Sequence, residues 1–242
     1  MKNRINDITY YYNNKLTLST DCVYVFVINF GLFNSDDFLV ILSNNEINRA
    51  NEIRSHEKRR QFIITRGITK KILATSLERT PSQINLLYNQ HGKPFINDKY
   101  KDYVIEFNTS HSGLYGLIAI TLNNKVGVDI QKIKPLIDVR ALSNRFFSDE
   151  ERNELMKLAK NLQQDAFYLG WVRKESFIKA VGKGVSYGLN RFSVPLSRKE
   201  NKNIVIPDHE NKKWHCYDLV EFENYKTALT TCAEKIDILI SH

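Results

Sequence analysis

The sequence predicts an α+β protein whose strands pair mostly antiparallel. Two observations carry that prediction. Short segments rich in β-branched and aromatic residues recur along the chain, and two long helical patterns stand among them, one in each half. These segments do not alternate as regular βαβ units. No low-complexity linker and no short-period repeat occurs, yet each half holds one strong helix and several strands, which permits a duplicated architecture.

The chain has 242 residues, enough for one large domain or two small ones. No apolar run approaches membrane-spanning length. Met1-Lys2-Asn3-Arg4 leads into polar residues and tyrosines rather than an apolar signal core, which favours the cytoplasm. Cys22, Cys216 and Cys232 are odd in number and far apart, as reduced structural cysteines are. The formal net charge of +8 attracts polyanions: nucleic acid, phosphorylated small molecules or an acidic protein.

Taken in order, Asp21 to Phe30 reads as a strand. From Glu46 to Leu77 the pattern is helical, with a basic run at His56-Glu57-Lys58-Arg59-Arg60 that reads as a solvated face or a ligand site. Arg79-Thr80-Pro81-Ser82 ends it. Leu86-Leu87-Tyr88 is a short strand, and His91-Gly92-Lys93-Pro94 a tight turn. Tyr103 to Asn108 is a strand leading into Thr109-Ser110-His111-Ser112-Gly113. Leu117 to Leu122 and Lys125 to Ile130 flank Asn123-Asn124 as a hairpin, a register that sets Asp129 opposite Ile118. There Asp129 is either a carboxylate on a partly apolar face that needs a partner, or a solvated strand end.

Ser148-Asp149-Glu150-Glu151 has the pattern of a capping box opening a helix. A second long helix spans Gln164 to Val181 and stops at Gly182-Lys183-Gly184. Strands follow at Arg191 to Leu196, Trp214 to Phe222 and Tyr225 to Cys232. On a wheel at about 100° per residue, Phe167, Tyr168, Trp171, Val172 and Ile178 share one side of the second helix. Arg173, Ser176 and Ala180 take the other, and Phe177 lies off the apolar side. Glu175 and Lys179 land amid the apolar side. They form either an ordinary i, i+4 salt bridge or part of a cleft.

Several familiar motifs are absent. Neither Ser110 nor Ser112 sits in G-x-S-x-G, because the flanking positions are Asn108, Ser110, Ser112 and Leu114. Gly182-Lys183 is followed by Gly184, not by the Ser or Thr of a P-loop. No His-Glu-x-x-His or Cys/His cluster suggests zinc.

An ordered set of patterns remains: His91-Gly92-Lys93-Pro94, Phe107-Asn108-Thr109-Ser110-His111-Ser112, Val126-Gly127-Val128-Asp129-Ile130 and Arg145-Phe146-Phe147-Ser148. It closes with Trp171-x-x-Lys174-Glu175-Ser176-Phe177-Ile178-Lys179-Ala180 and Gly182-Lys183-Gly184. The set, with 46 positions from Asp129 to Glu175, resembles the two-domain Sfp-type 4′-phosphopantetheinyl transferases.

That resemblance implies two similar α+β subdomains in a pseudo-twofold arrangement, each a mostly antiparallel sheet packed with helices, here residues 1–124 and 125–242. It implies a cytoplasmic monomer that moves the phosphopantetheine arm of coenzyme A to a serine of an apo acyl or peptidyl carrier protein. Adenosine 3′,5′-bisphosphate is the other product. Neither nucleic acid nor membrane is an expected partner. Position by position, Asp129 and Glu175 match acids that hold Mg²⁺, and Lys179 matches a lysine at the pyrophosphate and the reacting serine. Lys93, Asn108, Ser110 and His111 match the coenzyme A site, with Arg54 a looser match near the 3′-phosphate. Many such proteins carry an acid where this chain has Gln131, so two protein carboxylates with water are expected around the metal.

Two rival functions stand beside this one. A basic nucleic-acid-binding module would explain the charge, though not an acid amid an apolar helix face. A degenerate relative would bind coenzyme A without turnover.

Overall fold

The computed structural model describes residues 4–5, 8, 14–97, 99–100, 102–135, 138–197, 204–207, 213–219, 222–234 and 236–241. Met1 to Asn3 of the expected non-signal opening, and residues 220–221 of an expected strand, lie outside them. The chain forms two compact units. Residues 1–89, 94–123 and 236–242 make the first, and residues 90–93 and 124–235 the second. A single cut after residue 124 therefore misses two exchanges: the closing strand belongs to the first unit, and the 90–93 turn to the second.

In the first unit the six-stranded sheet is built from β1 (Arg4–Ile5), β2 (Cys22–Asn29), β5 (Lys99–Tyr100), β6 (Tyr103–Ser112), β7 (Tyr115–Leu122) and β12 (Asp237–Ser241). Its order is β1-β12-β2-β7-β6-β5, parallel across β1, β12 and β2 and antiparallel elsewhere. β3 (Leu87–Tyr88) and β4 (Pro94–Phe95) form a separate small hairpin. Alternation sends Tyr24, Phe26, Ile28, Phe107, Ile118 and Ile120 to one face, where α3 (His56–Leu77) lays Ile64, Ile68 and Ile72 against them. α1 (Asp36–Leu39) crosses α3 at Gly67, where a Cβ would stand 2.3 Å from the Phe38 ring.

The expected 46–77 helix is two helices. α2 (Asn44–Glu52) ends at Ile53, which is extended, and Ser55 caps α3 by accepting the Lys58 N–H. The basic run is only partly solvated. Arg59 donates to Ile53 O and so closes the end of α2, while Arg60 Nη2 donates to Phe30 O and Phe33 O.

The second unit's sheet has the order β8-β11-β10-β9, antiparallel throughout: β8 (Val126–Lys132), β9 (Ile204–Pro207), β10 (Lys213–Asp218) and β11 (Tyr225–Thr231). α6 (Lys160–Val181) lies on it, burying Phe177, Ile178 and Ala180 against Trp214, Cys216 and Ala228. α4 (Val139–Phe146) and α5 (Asp149–Lys157) close on the first half of α6 through Phe147, Leu155, Phe167 and Tyr168. The Ser148–Glu151 capping box opens α5 as the sequence predicts.

Three expectations change. β7 and β8 are not a hairpin. A type I′ turn needs positive φ at both central residues, and only Asn123 has it, at 60°. Asn123 instead bonds back to Val104 through both its N–H and its side-chain oxygen. Asp129 therefore stands opposite Ala228, not Ile118. Arg191 to Leu196 is no strand, because side chains rather than a ladder satisfy its backbone: Lys174 takes Phe192 O, Glu151 takes Val194 N–H and Arg173 takes Pro195 O. The helix wheel holds only in part: Phe167, Tyr168, Val172 and Ile178 are buried as expected, but the other side is buried too. Arg173, Ser176 and Ala180 face the sheet and are fully buried, whereas Trp171, Glu175 and Lys179 line a half-buried edge of α6.

Candidate active site

Gly127 sets the geometry of the second unit's charged group. A Cβ there would sit 2.1 Å from Ser176 O and 2.3 Å from Ala180 N, so only glycine lets the backbones of β8 and α6 come this close. Asp129 is two residues along β8, on the same sheet face, and thus points at the same helix. Across that gap Lys179 Nζ donates to Asp129 Oδ1 at 2.6 Å and to Val128 O at 3.3 Å. The lysine side chain keeps 27% of its exposure, whereas the aspartate keeps 7%.

Glu175 lies one turn before Lys179. Burial raises its carboxyl above the ordinary glutamate range, the Asp129 charge raises it further, and Lys179 opposes both. Two carboxylates and one ammonium thus sit within each other's field at the half-buried edge of α6. Gln131 shares the Asp129 face, and the residue across the ladder is Lys226. Lys226 is committed elsewhere, to Asp165 Oδ1 at 2.6 Å.

Of the other expected residues, Lys93 belongs to this same unit, where its Nζ donates to Val126 O at 3.1 Å. Arg54, Asn108, Ser110 and His111 belong to the first unit. Asn108 and Ser110 are buried on one face of β6. His111 falls on the opposite face by alternation, exposed, with its ring edge-on to Phe30. Arg54 is exposed in the link between α2 and α3.

Residues 125–230 match the 4′-phosphopantetheinyl transferase superfamily, and residues 35–123 match the family described as 4′-phosphopantetheinyl transferase, N-terminal. Over 193 residues the chain is 31% identical to the 4′-phosphopantetheinyl transferase HetI of Nostoc sp., covering 80% of this chain and 79% of that one. It is 36% identical over 210 residues to a 4′-phosphopantetheinyl transferase of Bacillus subtilis, covering 81% and 89%. It is 30% identical over 183 residues to Sfp of Bacillus subtilis strain 168, covering 76% and 78%. The chain belongs to the 4′-phosphopantetheinyl transferase family.

The two matched segments of this transferase meet at Asn123–Asn124, where the chain passes from the first compact unit to the second. The segment from 125 carries Asp129, Glu175 and Lys179. Two other charged clusters escaped the sequence reading. Lys174, beside Glu175, is fully buried and pairs with Glu151 at 2.7 Å while donating to Leu189 O and Phe192 O. Burial pushes the Glu151 carboxyl up and the Lys174 ammonium down, each partly offset by its partner. The Ser148 capping pattern was the one sign of Glu151's burial.

In the first unit, Arg66 Nη2 donates to the Tyr88 hydroxyl, and the Arg49 guanidinium lies 4.4 Å over the Tyr88 ring. Lys70 pairs with Glu46 at 3.1 Å. Arg66 also lies 3.6 Å from Glu46, so two cations meet that carboxylate while Arg49 sits over the neighbouring Tyr88 ring. Burial raises the Cys216 thiol to about 11, so it is poorly suited to act as a thiolate nucleophile. No helix among the described residues is long and apolar enough to cross a membrane.

Proposed function

We propose that this transferase moves the 4′-phosphopantetheine arm of coenzyme A to a serine of an apo acyl or peptidyl carrier protein and releases adenosine 3′,5′-bisphosphate. In this reading it works in the cytoplasm, as a monomer, with Mg²⁺. The observation that carries the reading is the group of Asp129, Glu175 and Lys179 on the family-matching segment, two of them carboxylates whose charges oppose each other.

Such a donor set fits a hard divalent cation. Asp129 and Glu175 would supply its oxygen ligands, and its charge would offset the burial and the Asp129 repulsion that raise the Glu175 carboxyl. When bound, Mg²⁺ would neutralise the pyrophosphate and polarise the phosphorus under attack. Gln131 adds an amide oxygen on the same face but no charge.

The remaining work falls to the chain's own side chains. The serine oxygen forms a bond to the β-phosphorus as the bond to the bisphosphate leaving group breaks. Glu175, a carboxylate on the half-buried edge of α6, takes the serine proton. Lys179, half-buried beside Asp129, supplies positive charge where charge develops on the departing phosphate. Lys93, Asn108, Ser110, His111 and Arg54 are assigned to coenzyme A, with His111 and Lys93 able to meet phosphate oxygens.

The rival nucleic-acid reading relies on a solvent-facing basic helix, and Arg59 and Arg60 of that run are occupied by backbone carbonyls. Thermal melting separates the two. Coenzyme A with Mg²⁺ should raise the melting temperature in a concentration-dependent way. Salt-sensitive binding of DNA, with no response to coenzyme A, would refute the proposal.

A further inference from the structure

The geometry points to Lys179 as the residue that couples the divalent cation to coenzyme A, by holding Asp129 until the pyrophosphate draws it away. This rests on the metal and substrate assignments proposed above.

Lys179 Nζ reaches Asp129 Oδ1 at 2.6 Å, a charge-assisted hydrogen bond to a carboxylate that keeps only 7% of its side-chain exposure. It also donates to Val128 O at 3.3 Å, so the ammonium is seated between two β8 oxygens. A cation that takes Asp129 as a ligand must compete with that ammonium for the same oxygen. Two positive charges sharing one carboxylate in a partly desolvated site repel each other strongly. The neighbouring cation Lys226, across the ladder from Gln131, does not enter the contest, because Asp165 holds it. Glu175 offers the cation a second ligand one turn before Lys179 on α6.

The ammonium needs another anion before it can leave. A pyrophosphate provides one. Once Lys179 turns toward it, Asp129 is released to the cation, and the cation in turn strengthens the hold on the pyrophosphate. Coenzyme A and the cation should therefore bind with positive linkage, each raising the other's affinity by the same factor. The physical consequence is that the free protein is a poor cation binder, although it carries the right carboxylates.

The prediction separates Lys179 from an ordinary catalytic lysine. Removing its charge should slow transfer, as any catalytic loss would, yet it should also tighten cation binding by the free protein. The test titrates Mn²⁺ into the whole protein, alone and with saturating coenzyme A, following free Mn²⁺ by electron paramagnetic resonance and correcting for Mn²⁺ bound to coenzyme A. In the wild type, coenzyme A should tighten Mn²⁺ binding by roughly tenfold, within the usual range of such couplings. Lys179→Met should bind Mn²⁺ tightly without coenzyme A and gain little from its addition. Lys179→Gln, which keeps a polar tip, serves as the second variant and should behave the same way. Equal or weaker Mn²⁺ binding by both variants without coenzyme A would overturn the inference alone. Failure of every protein to bind Mn²⁺, with or without coenzyme A, would overturn the metal assignment and the inference with it.

Discussion

At Glu175 ionisation is opposed twice, by burial and by the charge of Asp129, and only Lys179 favours it. An acid whose folded value is raised stabilises the fold fully below its unfolded range near 4.5, and that contribution is lost as pH rises through the folded value. At neutral pH the ionised carboxylate is therefore a cost. Glu175→Gln should raise the melting temperature at pH 7.5 in metal-free buffer by roughly 1–3 °C, what a change of about 1 kcal/mol or less produces in a chain of this size. The same variant should lose transfer by at least about a hundredfold, the scale of removing one group that stabilises developing charge. A lower melting temperature would mean that ionised Glu175 supports the fold. Asp129→Ala should lose transfer to a similar extent while its circular dichroism spectrum stays that of the wild type. Near-normal turnover by it at ordinary Mg²⁺ would remove Asp129 from the site.

The close crossing of β8 and α6 is the element-scale counterpart, and it depends on Gly127. Gly127→Ala forces a Cβ onto backbone atoms of Ser176 and Ala180, which no side-chain rotation relieves. Overpacking of this kind costs about 1–3 kcal/mol or more. It should lower the melting temperature and, by pushing α6 off the strand, also lower transfer. A variant of unchanged stability and activity would contradict the crossing. The Lys174–Glu151 pair pins α6 to α5 and to the 189–194 segment. Lys174→Met leaves Glu151 buried and unpaired, a loss of about 3–5 kcal/mol. Adding Glu151→Gln should restore part of it, as urea unfolding of the single and double variants would reveal.

These elements also mark how far the sequence could be read. Local signals were legible: the Ser148 cap, the Gly182 stop, and the β-branched runs of β2 and β11. The buried surface of α6 was legible only in part: Phe167, Tyr168, Val172 and Ile178 are buried where periodicity put them, but Arg173 and Lys174 look like solvent residues until Asp218 and Glu151, distant in the chain, are brought to them. The partner of Asp129 was missed for the same reason, because β11 lies nearly a hundred positions further on. Asp129 and Glu175 were singled out as proposed site acids through resemblance, not through periodicity.

At the scale of the whole molecule, the chain keeps two compact units, and its closing strand β12 returns to the first by pairing parallel to β2. Each unit is organised by one 22-residue helix on a sheet, α3 in the first and α6 in the second. The Asp129, Glu175 and Lys179 group lies wholly in the second, with Lys93. Lys93→Ala and His111→Ala should weaken coenzyme A binding more than turnover, raising KM with a smaller change in kcat. A pure kcat loss would reverse that assignment. The central claim is the transfer itself. Apo acyl and peptidyl carrier proteins, incubated with this protein, coenzyme A and Mg²⁺ and then weighed by mass spectrometry, should gain one phosphopantetheine on the carrier serine. The gain should vanish with chelator or with Asp129→Ala. Carriers that stay at apo mass with the wild-type protein, while a known transferase modifies them under the same conditions, would contradict it.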